Sequence, residues 1–276
     1  MMTGNKISNV LTVAAVAMAV LAGSAQAGEV AHYKLDGNVN DSSGNDYHGT
    51  ATNVSWVVDA TRGTVASFAG GNGLLNSSID VSSSSYSVTE SPNFQFAISM
   101  WLLPTARDDY FPEGATDVNI VMGASNGGVI ELPGQGSWGG MSGGNPGGIG
   151  VNSGGGAGSA GKDGAINICD GSWHHFVIQW VDPDGTVAGN DGALAEIWID
   201  GTAVTVSGAY NGNFPKSEPP LMNLGGPVIW SDGGSVYKYY KGLMSDVRFH
   251  DAQLTQSDVD DLLNPPGPTG TTIIIQ

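Results

Sequence analysis

One passage near the end of the chain limits the available folds more than any other. Tyr240-Lys241-Gly242-Leu243-Met244-Ser245-Asp246-Val247-Arg248-Phe249-His250 is a tight glycine followed by a β-rich run with one Asp and one Arg. Leu254-Thr255-Gln256-Ser257-Asp258-Val259 follows it with a short helical start. The passage therefore reads as a closing strand with a helix behind it, and a closing strand needs an earlier strand to lie beside.

That earlier strand is legible near the other end. Val30-Ala31-His32-Tyr33-Lys34-Leu35-Asp36 alternates in the manner of a strand, and residues 37–49 supply turn chemistry through Asp41-Ser42-Ser43-Gly44-Asn45-Asp46. Short strands are predicted over Val54–Val58 and Val65–Phe68. Phe94 to Leu103 is apolar at nearly every position, so this strand should be covered on both faces at the centre of a sandwich. Ala165–Trp180, Ala195–Ile199, Thr202–Val206 and Leu224–Trp230 read as further strands. Asp200-Gly201 is a hairpin signal, and Thr255 or Ser257 is the predicted N-cap of a helix over Thr255–Leu263. Between Gly134 and Gly164, 15 of 31 residues are glycine, which predicts mostly loop with a short strand near Ile149–Val151.

Residues 1–27 contain Lys6, an apolar run from Val10 to Leu21 and a small-residue end at Ala25-Gln26-Ala27, the pattern of a secretory signal peptide. The apolar run is too short for the roughly 20 residues of a membrane span. Cleavage would leave residues 28–264 as one β-domain and 265–276 as a Pro/Gly linker with a β-prone tail, and would predict a secreted or cell-surface location with no membrane span. The formal charge is −17, and losing Lys6 with the leader makes it −18. Such a surface repels nucleic acid and anionic lipid. Cys169 is the sole cysteine, so an intrachain disulfide is excluded.

Three stretches taken together, the closing strand with its helix, Gly171-Ser172-Trp173-His174-His175-Phe176 and Glu196-Ile197-Trp198-Ile199-Asp200-Gly201, resemble the laminin G-like branch of the concanavalin A-like lectin/glucanase superfamily. The resemblance covers nearly all of residues 29–263. It implies an all-β fold, a two-sheet antiparallel β-sandwich of jelly-roll type with one short C-terminal helix. Several relatives of this fold tie the first turn to the last strand through calcium. The resemblance thus implies Ca2+ held by Asp246 with Asp36 or Asp41, while the local reading of Asp36 and Asp41 is that each caps its turn through Asx hydrogen bonds.

The scaffold serves sugar binding, adhesion and glycan hydrolysis alike, so function rests on the residues. Sugar recognition needs an aromatic plane and a few polar partners. Trp138, Trp230 and Tyr237 with Asp232 form the candidate ligand set, beside Tyr239, Tyr240, Asn126 and Asn152. Related β-glucan-cutting enzymes resemble one another in a Glu-x-Asp-x-x-Glu strand that this chain lacks. Glu196 and Asp200 share one strand face, but at about 13 Å they are too far apart for the roughly 5.5 Å of a retaining pair. Trp173-His174-His175 places neighbouring imidazoles on opposite strand faces, which favours packing over metal binding. No catalytic residue is assigned. The expected function is an exported noncatalytic binding module for extracellular carbohydrate or glycoprotein. A self-assembling structural protein, a homo-oligomer paired through residues 271–276, is the alternative, and a glycan hydrolase the third reading.

Overall fold

The computed structural model describes residues 28–71, 77–81, 95–105, 118–123, 129–132, 149–153, 156–160, 167–181, 193–204, 206–207, 223–226 and 237–264. The first half of the chain forms β1 (Glu29–Tyr33), β2 (Thr50–Thr52), β3 (Ser55–Asp59), β4 (Gly63–Gly71), β5 (Ser78–Asp80), β6 (Gln95–Pro104), β7 (Val118–Gly123) and β8 (Val129–Leu132). The second half forms β9 (Ile149–Ser153), β10 (Gly156–Ala160), β11 (His174–Val181), β12 (Ala193–Ile199), β13 (Thr202–Val204), β14 (Val206–Ser207), β15 (Asn223–Leu224) and β16 (Tyr237–His250). The helix α1 (Gln256–Leu263) follows. The expected leader at 1–27 and the expected tail at 265–276 lie outside the described residues.

The strands form two antiparallel layers. One runs β13-β12-β11-β6-β16, with β1 and the β3–β4 hairpin also joined through β16; the other runs β7-β8-β9-β10-β14, with β15, β5 and β2 attached to β7. The layers meet where Tyr237, Lys238 and Tyr239 of β16 pair parallel with Val118, Asn119 and Ile120 of β7. The expected closure is present: Tyr33 pairs with Val247 and Ala31 with Phe249. The Tyr33 and Phe249 rings meet edge to face with centroids 6.1 Å apart.

Side-chain alternation builds the core. Phe96, Ile98, Met100 and Leu102 of β6 and Phe176, Ile178 and Trp180 of β11 point between the layers, against Val121, Met122, Ile130, Ile149 and Val151 of the facing layer. The outer face of β6 and β11 is also covered. Ala97, Val177 and Trp198 lie beneath Leu254 and Val259 of the helical segment. That face is fastened by Gln179, whose amide donates to the Leu254 carbonyl at 3.1 Å and whose Oε1 accepts from the Leu254 N–H at 2.6 Å. Thr255 caps α1, accepting from the Asp258 N–H, while the Asp258 carboxylate accepts from the Thr255 N–H in return.

One turn and one strand position depend on the residues that occupy them. Asp200 and Gly201 both have positive φ, 49° and 79°, the geometry of a two-residue type I′ hairpin between β12 and β13. Gly242 sits at φ 149° inside β16, where an added Cβ would lie 2.5 Å from the Leu103 carbonyl oxygen and 2.8 Å from the Tyr240 hydroxyl. Tyr240 is therefore core and not a ligand plane as the sequence allowed. It is fully buried, stacks edge-on against Phe68 and donates its hydroxyl proton to the Leu243 carbonyl.

Two histidines are enclosed with unpaired ring nitrogens. His250, 5% exposed, pairs neither nitrogen, and His175, 2% exposed, leaves Nδ1 unpaired. Burial pushes both imidazoles down to about 4. Their unfolded counterparts titrate near 6.5, so between pH 6.5 and about 4 the unfolded chain binds more protons and stability falls as pH falls. His250→Leu should therefore raise the urea midpoint relative to wild type more at pH 4.5 than at pH 7, measured by fluorescence. Gly242→Ala should cost about 2 kcal/mol or more in the same assay at pH 7.

Candidate functional site

The most heavily built polar site among the described residues lies where β1, β16, β6 and the turn between β3 and β4 converge. It begins with a bulge. Ser245 of β16 pairs with Trp101 and Arg248 with Ser99, so β16 carries one residue more than β6 across this interval. Asp246 occupies the bulge at φ 53°, a left-handed conformation that Asp tolerates better than most side chains, and its N–H donates to the Lys34 carbonyl just beyond β1.

The bulge aims the Asp246 carboxylate at three cationic side chains. His32 Nε2 lies 2.6 Å from Oδ1, Arg248 donates from Nε at 3.1 Å and from Nη2 at 3.3 Å, and Arg62 Nη2 stands 4.0 Å away. Glu29 closes the circuit, accepting from Arg248 Nη1 at 3.1 Å and lying 3.5 Å from His32 Nδ1. Glu29, His32, Asp246 and Arg248 thus form a closed ring of alternating charge. An imidazole between two carboxylates is most stable with both nitrogens protonated. Burial alone would lower the His32 pKa, yet its hydrogen bonds to Asp246 and Glu29 raise it above its ordinary value. Burial alone would raise the Asp246 carboxyl, yet His32 and Arg248 hold it well below the carboxylate range.

Arg62 reaches this ring from a turn that Asp59 organises by accepting from the Thr61 and Arg62 N–H groups, each at 2.8 Å. Its guanidinium lies over Trp101, 4.0 Å from the ring centroid, and 5.5 Å from that of Trp173. His175 packs on Trp101 as well, with centroids 5.0 Å apart. The tryptophan is therefore occupied by protein groups. His174 points elsewhere, with Nδ1 2.8 Å from Asp200 and Nε2 3.2 Å from Asp170, so the adjacent imidazoles diverge as strand geometry requires.

The expected calcium residues are placed as follows. Asp41, 7% exposed, accepts from the His32 and Ser43 N–H groups on Oδ1 and from the Ser43 hydroxyl and Tyr47 N–H on Oδ2. These are the Asx-type bonds of a turn organiser. Asp36 is exposed and accepts from the Asn38 amide. Asp246 belongs to the charge ring. The three are not gathered: among the described residues no group of three or more His, Cys, Asp or Glu side chains is arranged to hold a metal ion. Of the expected ligand-binding set, Trp138, Trp230 and Asp232 lie outside the described residues. Tyr237 opens β16, where its backbone pairs with Val118.

Arg62, Trp101, Glu29 and His32 are absent from the sequence-based site. One signal could have found part of it: the chain has three arginines, Arg62, Arg107 and Arg248, and two of them meet at Asp246.

Comparison with known proteins places this architecture. Among solved structures the chain is similar to domain 4 of AbnA, a GH43 extracellular arabinanase from Geobacillus stearothermophilus, in complex with arabinotriose. The two are 25% identical with a TM-score of 0.54, over 86% of this chain and 99% of that one. It is also similar to the binding domain of Paraclostridial Mosquitocidal Protein 1, at 15% identity and a TM-score of 0.54, over 86% of this chain and 52% of that one. A Trypanosoma rangeli sialidase mutant displaying trans-sialidase activity matches at 12% identity and a TM-score of 0.52, over 86% of this chain and 32% of the sialidase. These last two likenesses show the fold alone. No curated protein matches the chain. The family model for the concanavalin A-like lectin/glucanases superfamily, laminin G type, matches residues 76–260. The chain belongs to the laminin G-like family of the concanavalin A-like lectin/glucanase superfamily.

Proposed function

We propose that this protein is an exported, noncatalytic module that binds extracellular carbohydrate, free or carried on a glycoprotein. The observation that carries the reading is the likeness to an arabinanase domain solved with arabinotriose, which this chain matches over 99% of that domain's length. The chemistry of the described site supports a noncatalytic role. Its two carboxylates, Glu29 and Asp246, are both engaged by His32 and Arg248, so neither stands free as a nucleophile or a general acid. The leader pattern at residues 1–27 supports export.

The sugar would be held by aromatic planes of the glycine-rich segments, Trp138, Trp230 and Tyr237, with Asp232 as polar partner. Isothermal titration with arabinotriose and a glycan array, each run with calcium and after chelation, should detect binding to at least one oligosaccharide. Trp138→Ala or Trp230→Ala should weaken it tenfold or more, about 1.4 kcal/mol. Absence of binding on the array, or release of reducing ends from polysaccharides, would overturn the reading.

A second reading has its own observation. Among the described residues β3 pairs with β4 alone, and Val58 on it is 86% exposed, so an open backbone edge is offered to another strand. Residues 271–276, Thr-Thr-Ile-Ile-Ile-Gln, have the composition to add there as an intermolecular strand. Deletion of residues 270–276 should shift the molar mass from oligomer to monomer in light scattering if this pairing operates, and leave it unchanged otherwise.

A further inference from the structure

At the junction of first turn and last strand, where the family resemblance implied calcium, the Asp41 and Asp246 carboxylates are already engaged by donors, and Asp36 stands exposed in the turn. Calcium takes six to eight oxygens that carry free lone pairs. A carboxylate offers about four acceptor sites, and all four of Asp41's are taken by three N–H groups and one hydroxyl. The Asp246 oxygens face His32, Arg248 and Arg62. Neighbouring carbonyls are used too. That of His32 accepts from the Ser42 N–H and hydroxyl, that of Val30 from the Ser43 hydroxyl and Asn45 amide, and that of Lys34 from the Asp246 N–H. The residues present do not fit a divalent cation in this position.

They do fit the service such an ion would perform. Joining β1 to β16 requires positive charge beside Asp246 and Glu29, and the side chains already provide it. In a chain of formal charge −17, two of the three arginines are concentrated here, and one of them is brought across from the β3–β4 turn. Arg62 moreover leaves Nε buried and unpaired, a cost that its stacking on Trp101 and its approach to Asp246 offset.

We infer that Arg62, Arg248 and His32 take the place of a divalent cation at the β1–β16 seam, so that this module is clasped by its own side chains and holds its fold without calcium. The inference is independent of which glycan the protein binds.

The test is thermal unfolding of the full chain after chelation and again in millimolar calcium, for wild type, Arg248→Lys, Arg62→Met and Asp246→Asn. Arg248→Lys keeps the charge but loses the forked donor pair, so it remains informative should a charge-deleting variant fail to fold. The expected result is a wild-type Tm that is the same in both conditions, with Tm lowered by roughly 3–10 °C in Arg248→Lys and in Arg62→Met. A calcium response that persists in Asp246→Asn places an ion elsewhere and overturns the calcium independence of the fold. A calcium-induced rise in wild-type Tm that Asp246→Asn abolishes overturns the inference, as does an unchanged Tm in both arginine variants.

Discussion

The structure depends on one carboxylate held in an unfavourable backbone conformation. Asp246 sits in the left-handed region within a strand that pairs with β1, β4, β6 and β7, and the bulge it makes turns its side chain toward His32, Arg248 and Arg62. Strain of this kind persists where the surroundings over-determine it. Here the surroundings are two arginines, an imidazole and the Lys34 carbonyl, and the ring closed by Glu29 makes the position of each charge depend on the other three. Removing one partner would leave the others buried and uncompensated, which is why paired charges with partial burial cost far more to break than exposed ones.

The arrangement also says how a strongly acidic chain keeps its core intact. Among the described residues, the two carboxylates drawn beneath the surface each have a fixed counterpart: Asp41 takes main-chain donors and a hydroxyl, and Asp246 takes cations, while the exposed Asp200 takes His174 and the His175 N–H. His175 and His250 do the opposite, enclosed as neutral rings, so titratable groups of both kinds line the outer face of the β1–β16–β6–β11 layer. This face divides its surface between these polar groups and the apolar cluster under α1, while the opposite face packs the main core.

Much of the fold was legible because its signals are local. The Asp200-Gly201 hairpin, the Thr255 cap and the doubly covered β6 follow from turn chemistry, capping preference and an uninterrupted apolar run, and each is where the sequence puts it. The closing pair of strands was legible from the residues at its two ends. The charge ring was not, since its members come from positions 29, 32, 62, 246 and 248, and no spacing rule connects a turn after β3 with a bulge in β16. The sequence shows Asp246 as an acid in the last strand, not that Arg62 is folded over a tryptophan to meet it. For Tyr240 the sequence leaves core packing and a ligand plane both open, and the structure places it in the core. Aromatics beside glycine look available until packing shows that Gly242 exists to let the tyrosine hydroxyl close back on its own strand.

The pairing of β1 with the far end of β16 has a mechanical corollary. Gly28 and Asp251 exchange hydrogen bonds, the Gly28 N–H to the Asp251 carboxylate and the Asp251 N–H to the Gly28 carbonyl, so the points where the chain enters and leaves the sandwich sit side by side. Tension applied between those points would load the β1–β16 ladder from its end, like a zipper, and meet the salt-bridge ring at once, because Glu29 stands on the first rung opposite His250 and is tied to Arg248. A module tethered in this way resists at its mouth, and neighbouring segments can be attached at both points without stretching the body between them.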